Sequence, residues 1–328
     1  MKTIVTGGAG FIGSHLVDLL MEDNHEVIVL DDLSSGKEDN IKKWLGNSSF
    51  SFYKVDVSEY EKIKDYFKDV DWVFHLAGKA EIVPSINDPL KYFQANVLGT
   101  ISVLEASRKN KVKKFIYAAS SSCYGIAKTF PTNEGAPIDP QYPYALTKYL
   151  GELIAFHYFK VYKLPVISLR LFNVYGPRVR ATNSYGAMFP TFLAQKLNNY
   201  PMTIVGDGEQ TRDFVFVKDV ARAFLMSAES EIEGEVFNVG SGKTYSINSI
   251  VKLIGGDYTY IPKRPGEPDC TWADIRKIKE KLGWEPQVSL EEGVKIMLEH
   301  INDYKDLPLW TKEKIQEATK DWFNYLGK

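Results

Sequence analysis

Short apolar runs alternate with amphipathic segments through the first half of the chain, a rhythm that predicts βαβ units and a parallel sheet. Thr3–Thr6, Glu26–Leu30, Phe50–Val55, Trp72–Leu76, Phe115–Ala119 and Val166–Leu171 read as strands. Phe11–Asn24, Pro89–Lys109 and Tyr144–Val161 carry apolar residues at helical spacing between them. The rhythm breaks near residue 174. Beyond it we expect a helix over Ala187–Asn198, a turn at Gly206–Gln210, a strand over Thr211–Val217 and a short strand over Glu235–Val239. No glycine- or proline-rich linker and no repeat divides the chain. The pattern predicts an α/β fold: a Rossmann-type doubly wound parallel sheet over 1–173, completed by segments near 211–240, with a smaller interleaved α/β lobe over 174–328.

Two of these helices carry more apolar surface than one buried stripe needs. The later one has Tyr149, Leu150, Leu153, Ile154, Phe156, Tyr158, Phe159 and Tyr162; the earlier has Leu90, Tyr92, Phe93, Val97, Leu98, Ile101 and Leu104. One face of each should cover the sheet. The second is covered either in a crowded monomer core or by another copy, and we expect a homodimer through 89–109 and 144–161.

With 328 residues, 44% apolar and 25% charged, the chain can bury a core without disulfides or metal. A net charge of −2 gives no electrostatic case for a nucleic-acid or anionic-membrane partner. Met1-Lys2 leads straight into the first strand, and no apolar run of about 18 residues predicts a membrane span. Cys123 and Cys270 have no metal-ligand spacing, and neither do His15, His25, His75, His157 and His300. A reduced, cytoplasmic setting and no metal are expected.

Gly7-Gly-Ala-Gly10-Phe-Ile-Gly13 follows the first strand and opens a helix, where glycines let the backbone approach a pyrophosphate at the positive helix end. Asp31 ends the second strand, placed to bind ribose hydroxyls. Asp32 beside it, with no arginine, would repel a 2′-phosphate, so NAD is favoured over NADP. Asp56-Val57 ends the third strand, and Leu76-Ala77-Gly78 ends the fourth with small residues. Tyr144 and Lys148 share a helix face, and a fixed cation near the phenol would lower its pKa toward that of a usable base. Tyr60 and Lys64 repeat the spacing but read as a solvated face. Only the first pair follows a Ser120-Ser-Ser-Cys-Tyr-Gly125 segment.

Joined to these residues, the runs Leu169–Arg178, Gly206–Phe214, Arg264–Glu267 and Trp272–Asp274 make the chain resemble the extended short-chain dehydrogenase/reductases. Within them it is similar to the NAD-dependent nucleotide-sugar epimerases and dehydratases. The resemblance implies that Phe11, Ile12, Asp31, Asp32, Leu33, Ser34, Ser35, Gly36, Asp56, Val57, Leu76, Ala77, Gly78, Lys79, Ala80, Asn96, Tyr144, Lys148 and Phe172 meet NAD beside the turn of Gly7, Gly10 and Gly13. Ser120 and Tyr144 would supply catalytic hydroxyls. Asn173, Arg212, Arg264 and Glu267 would hold a nucleotide diphosphate and its ribose, with Ser121, Ser122 and Thr271 near the sugar.

The implied chemistry is transient oxidation at C4 of a UDP-sugar and hydride return to the opposite face. Related 4,6-dehydratases carry Asp-Glu where this chain has Ser121-Ser122, and related decarboxylases carry Glu at Ser122, so 4-epimerisation leads. The small Thr271 keeps N-acetylated sugars open beside UDP-glucose and UDP-galactose. UDP-glucuronate stays open through Arg178, Arg180 or Lys79. A serine hydrolase lacks its Gly-x-Ser-x-Gly elbow here, and His75 reads as packing or capping its strand. An NAD-sensing regulator would need neither the Tyr144/Lys148 pair nor the paired arginines.

Overall fold

The computed structural model describes residues 1–179 and 187–327. Seven strands form one parallel sheet: β1 (Lys2–Thr6), β2 (Glu26–Asp31), β3 (Phe50–Lys54), β4 (Trp72–His75), β5 (Lys114–Ser120), β6 (Val166–Leu171) and β7 (Glu235–Val239). Their order is β7-β6-β5-β4-β1-β2-β3. Helices cover both faces, which is why Ile4-Val5, Val27–Leu30 and Phe115–Ala119 are buried without polar alternation. The strand order reverses between β1 and β4, and a crevice opens at their carboxyl ends. A second core, including Tyr175, Phe189, Phe192, Phe214, Phe216 and Ile250, is built on short strand pairs and helices beyond β6. Among the described residues no helix is long and apolar enough to cross a membrane.

Three local expectations are corrected. Pro89–Lys109 is not one α-helix, because Phe93–Leu98 forms a π-helical segment between Pro89–Tyr92 and Gly99–Lys109. Thr211–Val217 is not one strand. Thr211–Arg212 pairs with Tyr245–Ser246, Phe214–Phe216 pairs with Asn173–Tyr175, and Val217 starts a helix. The break is Asp213, fully buried, whose carboxylate accepts the N–H groups of Ser241, Gly242 and Ala273.

The third correction concerns the helix Pro143–Tyr162. Proline at its first turn suits a position that lacks a hydrogen-bond acceptor, and Lys163 ends it in the left-handed region. Its buried stripe is small or polar (Ala145, Thr147, Lys148, Gly151, Glu152 and Ala155), while Ile154, Phe156, Tyr158 and Phe159 are only partly buried. The cause is close approach to β5. Tyr117 donates its hydroxyl to the Lys148 carbonyl at 3.0 Å, and a Cβ on Gly151 would stand 2.2 Å from that hydroxyl. Leu146, Leu153, Val161 and Tyr162 face outward, as do Leu90, Phe93 and Leu98 on the neighbouring helical run.

A buried ion pair fastens this helix to the sheet. Arg170 on β6 meets Glu152 with Nη2–Oε1 at 2.5 Å, and both side chains are almost wholly buried. Ser168 donates to the same carboxylate at 2.8 Å, and Arg170 also donates to the Tyr124 hydroxyl and the Glu134 carbonyl. Removing one partner strands a buried charge, which typically costs about 3–5 kcal/mol. We therefore expect Glu152→Ala or Arg170→Ala to lower unfolding free energy by about that amount in urea titrations, and the Glu152→Leu/Arg170→Met pair to lose less. A single-variant loss below about 1 kcal/mol would contradict the fastening role.

Candidate active site

One cavity of about 760 Å³ runs along the carboxyl ends of the strands and into the region built on the second core. At one end, helix Phe11–Glu22 starts at Gly10 with no side-chain cap, and Gly10, Phe11, Ile12 and Gly13 line the wall. Its first-turn N–H groups are a ready anion site. Gly7 has φ +69°, and a Cβ there would meet the Ala77 nitrogen at 2.8 Å, so only glycine lets the ends of β1 and β4 come together. Asp31 is buried, and its two oxygens accept the N–H groups of Ala9 at 3.0 Å and Leu33 at 2.8 Å. Burial raises its pKa. Asp32, Ser34, Ser35, Asp56 and Val57 complete this end, and Leu76, Ala77, Gly78, Lys79 and Ala80 continue the wall. An uncapped helix start for the pyrophosphate, with acids in place of arginines at the ribose end, fits NAD.

At the centre, the Tyr144 hydroxyl donates to Ser120 Oγ at 3.1 Å, and Ser120 Oγ lies 2.8 Å from Ser122 Oγ. Ser120 sits at the end of β5, and its oxygen also accepts the Ser122 N–H at 3.2 Å, which turns the chain sharply into the cavity. Lys148 is buried one helical turn from Tyr144, its Nζ 4.6 Å from the centre of the Tyr117 ring. Burial lowers its pKa to about 8, against the pull of Glu152. Tyr144 does not show the depressed pKa expected from the spacing. Burial raises it, the hydrogen bond to Ser120 lowers it, and the Glu81 carboxylate raises it further. Lys148 makes no hydrogen bond to the phenol. Tyr60 and Lys64 lie outside the cavity, Lys64 pairing with Glu61.

His75 lies beneath the site and is wholly buried, within hydrogen-bond distance of Thr6 Oγ1 (2.7 Å) and Thr100 Oγ1 (3.0 Å). It packs and ties strands and does not reach the cavity. Three expected cofactor positions do not line the cavity either. Leu33 packs on the core, Gly36 lies against Ala9, and Asn96 gives its side chain to the Lys79 backbone and Thr147 Oγ1. Asn96 stands in the π-helical segment, so that irregular turn stitches the loop after β4 to the Tyr144 helix.

At the far end, Arg212 meets Glu267 Oε1 at 3.0 Å, and Arg264 approaches Glu267 Oε2 at 3.9 Å. Glu267 Oε2 is buried and accepts no hydrogen bond. Thr271 Oγ1 donates to Asn173 Oδ1 at 3.0 Å and accepts the Asp213 N–H at 3.3 Å. Phe172 and Ser121 also line the wall. Arg178 does not, being paired with Asp18 at 2.8 Å, and Arg180 lies outside the described residues. Sequence reasoning missed Glu81, Tyr142 and Trp322, all of which line the cavity. Glu81 follows directly on Ala80 and was within reach of motif reading. Tyr142, stacked at 8° to the Tyr144 ring, and Trp322 carry no local signal.

Fold and cavity together define a dinucleotide-dependent α/β enzyme with a Ser/Tyr/Lys centre. Residues 3–240 match the model of the NAD-dependent epimerase/dehydratase family, and the chain belongs to that family. Solved structures agree. A Thermotoga maritima UDP-glucose 4-epimerase with UDP-glucose is 39% identical, with a TM-score of 0.85 over 92% of this chain and 99% of that one. A UDP-N-acetylglucosamine 4-epimerase from Methanobrevibacter ruminantium, in complex with UDP-N-acetylmuramic acid, is 36% identical, with a TM-score of 0.84 over 91% and 98%. A Bacillus cereus UDP-glucuronic acid 4-epimerase with UDP-glucuronic acid and NAD is 34% identical, with a TM-score of 0.85 over 92% and 99%.

The buried histidines set a pH dependence of stability. Burial lowers His75 to about 3 and His15 to about 4, so both are neutral in the fold while the unfolded chain protonates near 6.5. Stability from these groups is full above pH 6.5 and falls as pH drops, by up to about 1.4 kcal/mol per pH unit for each. Asp213, raised by burial to about 6, opposes this only below that value, as the raised Asp31 does in its own range. Urea titrations from pH 7.5 to 5.5 should show the fall, and His75→Asn should flatten it. An identical slope in that variant would contradict the assignment.

Proposed function

We propose that this chain is an isomerase, an NAD-dependent 4-epimerase of a UDP-sugar. The observation that carries the reading is the hydroxyl chain Tyr144–Ser120–Ser122, with Lys148 a turn away. Bound NAD would accept the hydride from C4 of the sugar and supply it back to the opposite face of the resulting ketone, so that C4 is inverted. Tyr144 removes the proton of the 4-hydroxyl and gives it back, and Ser120 hydrogen-bonds the same oxygen as its charge develops. Tyr144 acts from its phenolate form, which the positive charges of Lys148 and of bound NAD would favour against the effect of burial. Arg212 and Arg264 bind the diphosphate through their forked donors, and the unsatisfied Glu267 Oε2 accepts a ribose hydroxyl. In this division the dinucleotide belongs to 1–173 and the nucleotide sugar to 174–328.

Hydroxyls at Ser121 and Ser122 leave no acid–base pair for dehydration and none of the carboxylate chemistry of the decarboxylases. An uncharged sugar, UDP-glucose or its N-acetylated counterpart, suits the cavity better than UDP-glucuronate. Of the cations that would meet a uronate, two lie among the described residues: Arg178 is held on Asp18, and Lys79 shares the wall with the Glu81 carboxylate. The outward Leu90, Leu98, Leu146 and Leu153 support a homodimer through the two helical runs.

Incubation with UDP-glucose, UDP-N-acetylglucosamine and UDP-glucuronate separately, without added NAD, should give C4 epimers of the first two by NMR. Tyr144→Phe should keep its bound NAD and lose at least about a hundredfold in kcat. A 4-keto-6-deoxy product, released carbon dioxide or undiminished turnover in that variant would overturn the reading. Light scattering should report a dimer, and Leu90→Glu/Leu153→Glu a monomer; a monomeric parent protein would refute the dimer.

A further inference from the structure

The end of the chain doubles back over the cavity. Trp310 and Ile315 pack with Ile261 in a small cluster apart from the main cores, and Gln195 donates to the Trp310 carbonyl at 2.7 Å. These contacts anchor the segment to the region built on the second core. Helix Lys320–Leu326 then packs against helix Ile82–Asn87, which follows β4 and the Lys79–Glu81 wall. The segment therefore spans from one side of the cleft to the other.

Trp322 stands between those anchors. The residue is 3% exposed and forms part of the cavity wall. The indole N–H donates to the Pro265 carbonyl at 2.7 Å, the Arg264 guanidinium carbon lies 5.4 Å from its ring centre, and the Tyr142 ring is 6.5 Å away. It thus holds the backbone next to Arg264 and covers the guanidinium with an aromatic face. Such a face attracts the cation and shields it from water, which narrows the directions a long arginine side chain samples.

We propose that Trp322 is a positioning residue of the substrate site, which holds Arg264 toward the diphosphate of the nucleotide sugar while its helix closes the wall between the two sides of the cleft. The proposal rests on the reading of Arg264 as a diphosphate ligand. It makes the C-terminal helix part of the binding site, with its effect on affinity for substrate and not on the hydroxyl chain at Tyr144.

The test is a double-mutant cycle on the NAD-loaded enzyme, with UDP as the calorimetric probe and KM and kcat for the UDP-sugar that the enzyme turns over. Trp322→Leu, which keeps an apolar filler, should weaken UDP binding and raise KM about tenfold, with kcat within about twofold. Bound NAD and Tm should stay at the level of the parent protein. Trp322→Phe, which keeps a ring over the guanidinium, should retain most of the affinity. In an Arg264→Ala background Trp322→Leu should add little, because the two act through one contact. Additive losses, or unchanged UDP binding in Trp322→Leu when Arg264→Ala binds weakly, would overturn the proposal. Joint loss of UDP affinity, bound NAD and Tm would assign Trp322 to the fold and overturn it too. Unchanged UDP binding in Arg264→Ala would instead remove the diphosphate role of Arg264, and this proposal with it.

Discussion

The site depends on how closely the Pro143–Tyr162 helix lies on β5 and β6. Gly151 permits the approach, since any side chain there would run into Tyr117, and the Glu152–Arg170 pair fixes it. A buried ion pair is weak evidence for stability by itself, because desolvation offsets the attraction. Here its geometry matters more than its strength. Arg170 is held by Glu152, Tyr124 and the Glu134 carbonyl together, and Ser168 takes a further place on the carboxylate, so the helix has one seating. That seating brings the Tyr144 hydroxyl to Ser120 and puts Lys148 under cover. It also sets Thr147 against Asn96, which in turn holds the Lys79 loop.

Burial then decides the electrostatics of the centre. It drives Tyr144 up and Lys148 down, both toward their neutral forms. Glu152 works against this for Lys148, since its carboxylate stands one turn along the same helix and favours the ammonium. One carboxylate therefore both seats the helix and favours the ammonium form of Lys148. Glu81 acts in the opposite sense on Tyr144, but its Oε2 also accepts the hydroxyl of Tyr92 at 3.1 Å. The proton-bearing groups nearest Tyr144 are consequently hydroxyls, which suits reversible proton exchange at one oxygen better than elimination.

Much of this was legible in the sequence where local pattern and chemistry coincide. β1 to β4 lead into glycine or acid, and the glycine loop, Asp31, Ser120 and Tyr144 all fall at strand ends or helix starts that the pattern marks. What stayed hidden depends on contacts distant in sequence. The small buried stripe of the long helix follows from Tyr117, distant in sequence on β5, and its large aromatics gave no sign of it. Asp213 splits an apolar run because its carboxylate serves the Ser241 and Ala273 backbone. Asn96 matched a cofactor position by motif, yet the π-helical segment turns its amide onto Lys79 and Thr147. Trp322 is one aromatic among several near the C-terminus, and only folding places it over Arg264.

A net charge of −2 also conceals how charge is arranged along the cavity. Asp31, Asp32 and Asp56 stand at the end beside the uncapped helix, whereas the arginines that line the cavity among the described residues, Arg212 and Arg264, stand at the other with Glu267 between them. The acids suit ribose hydroxyls and disfavour a 2′-phosphate, while the uncapped helix start suits a pyrophosphate through backbone N–H groups. At the opposite end the anion must be met by side chains, and a guanidinium is useful there only if it is aimed. Glu267 restrains Arg212 from one side, and the indole of Trp322 covers Arg264. Under the proposed function the two ends would bind two diphosphates by different means, rigid backbone at one and braced side chains at the other. Substrate choice can then vary at the braced end without disturbing the cofactor.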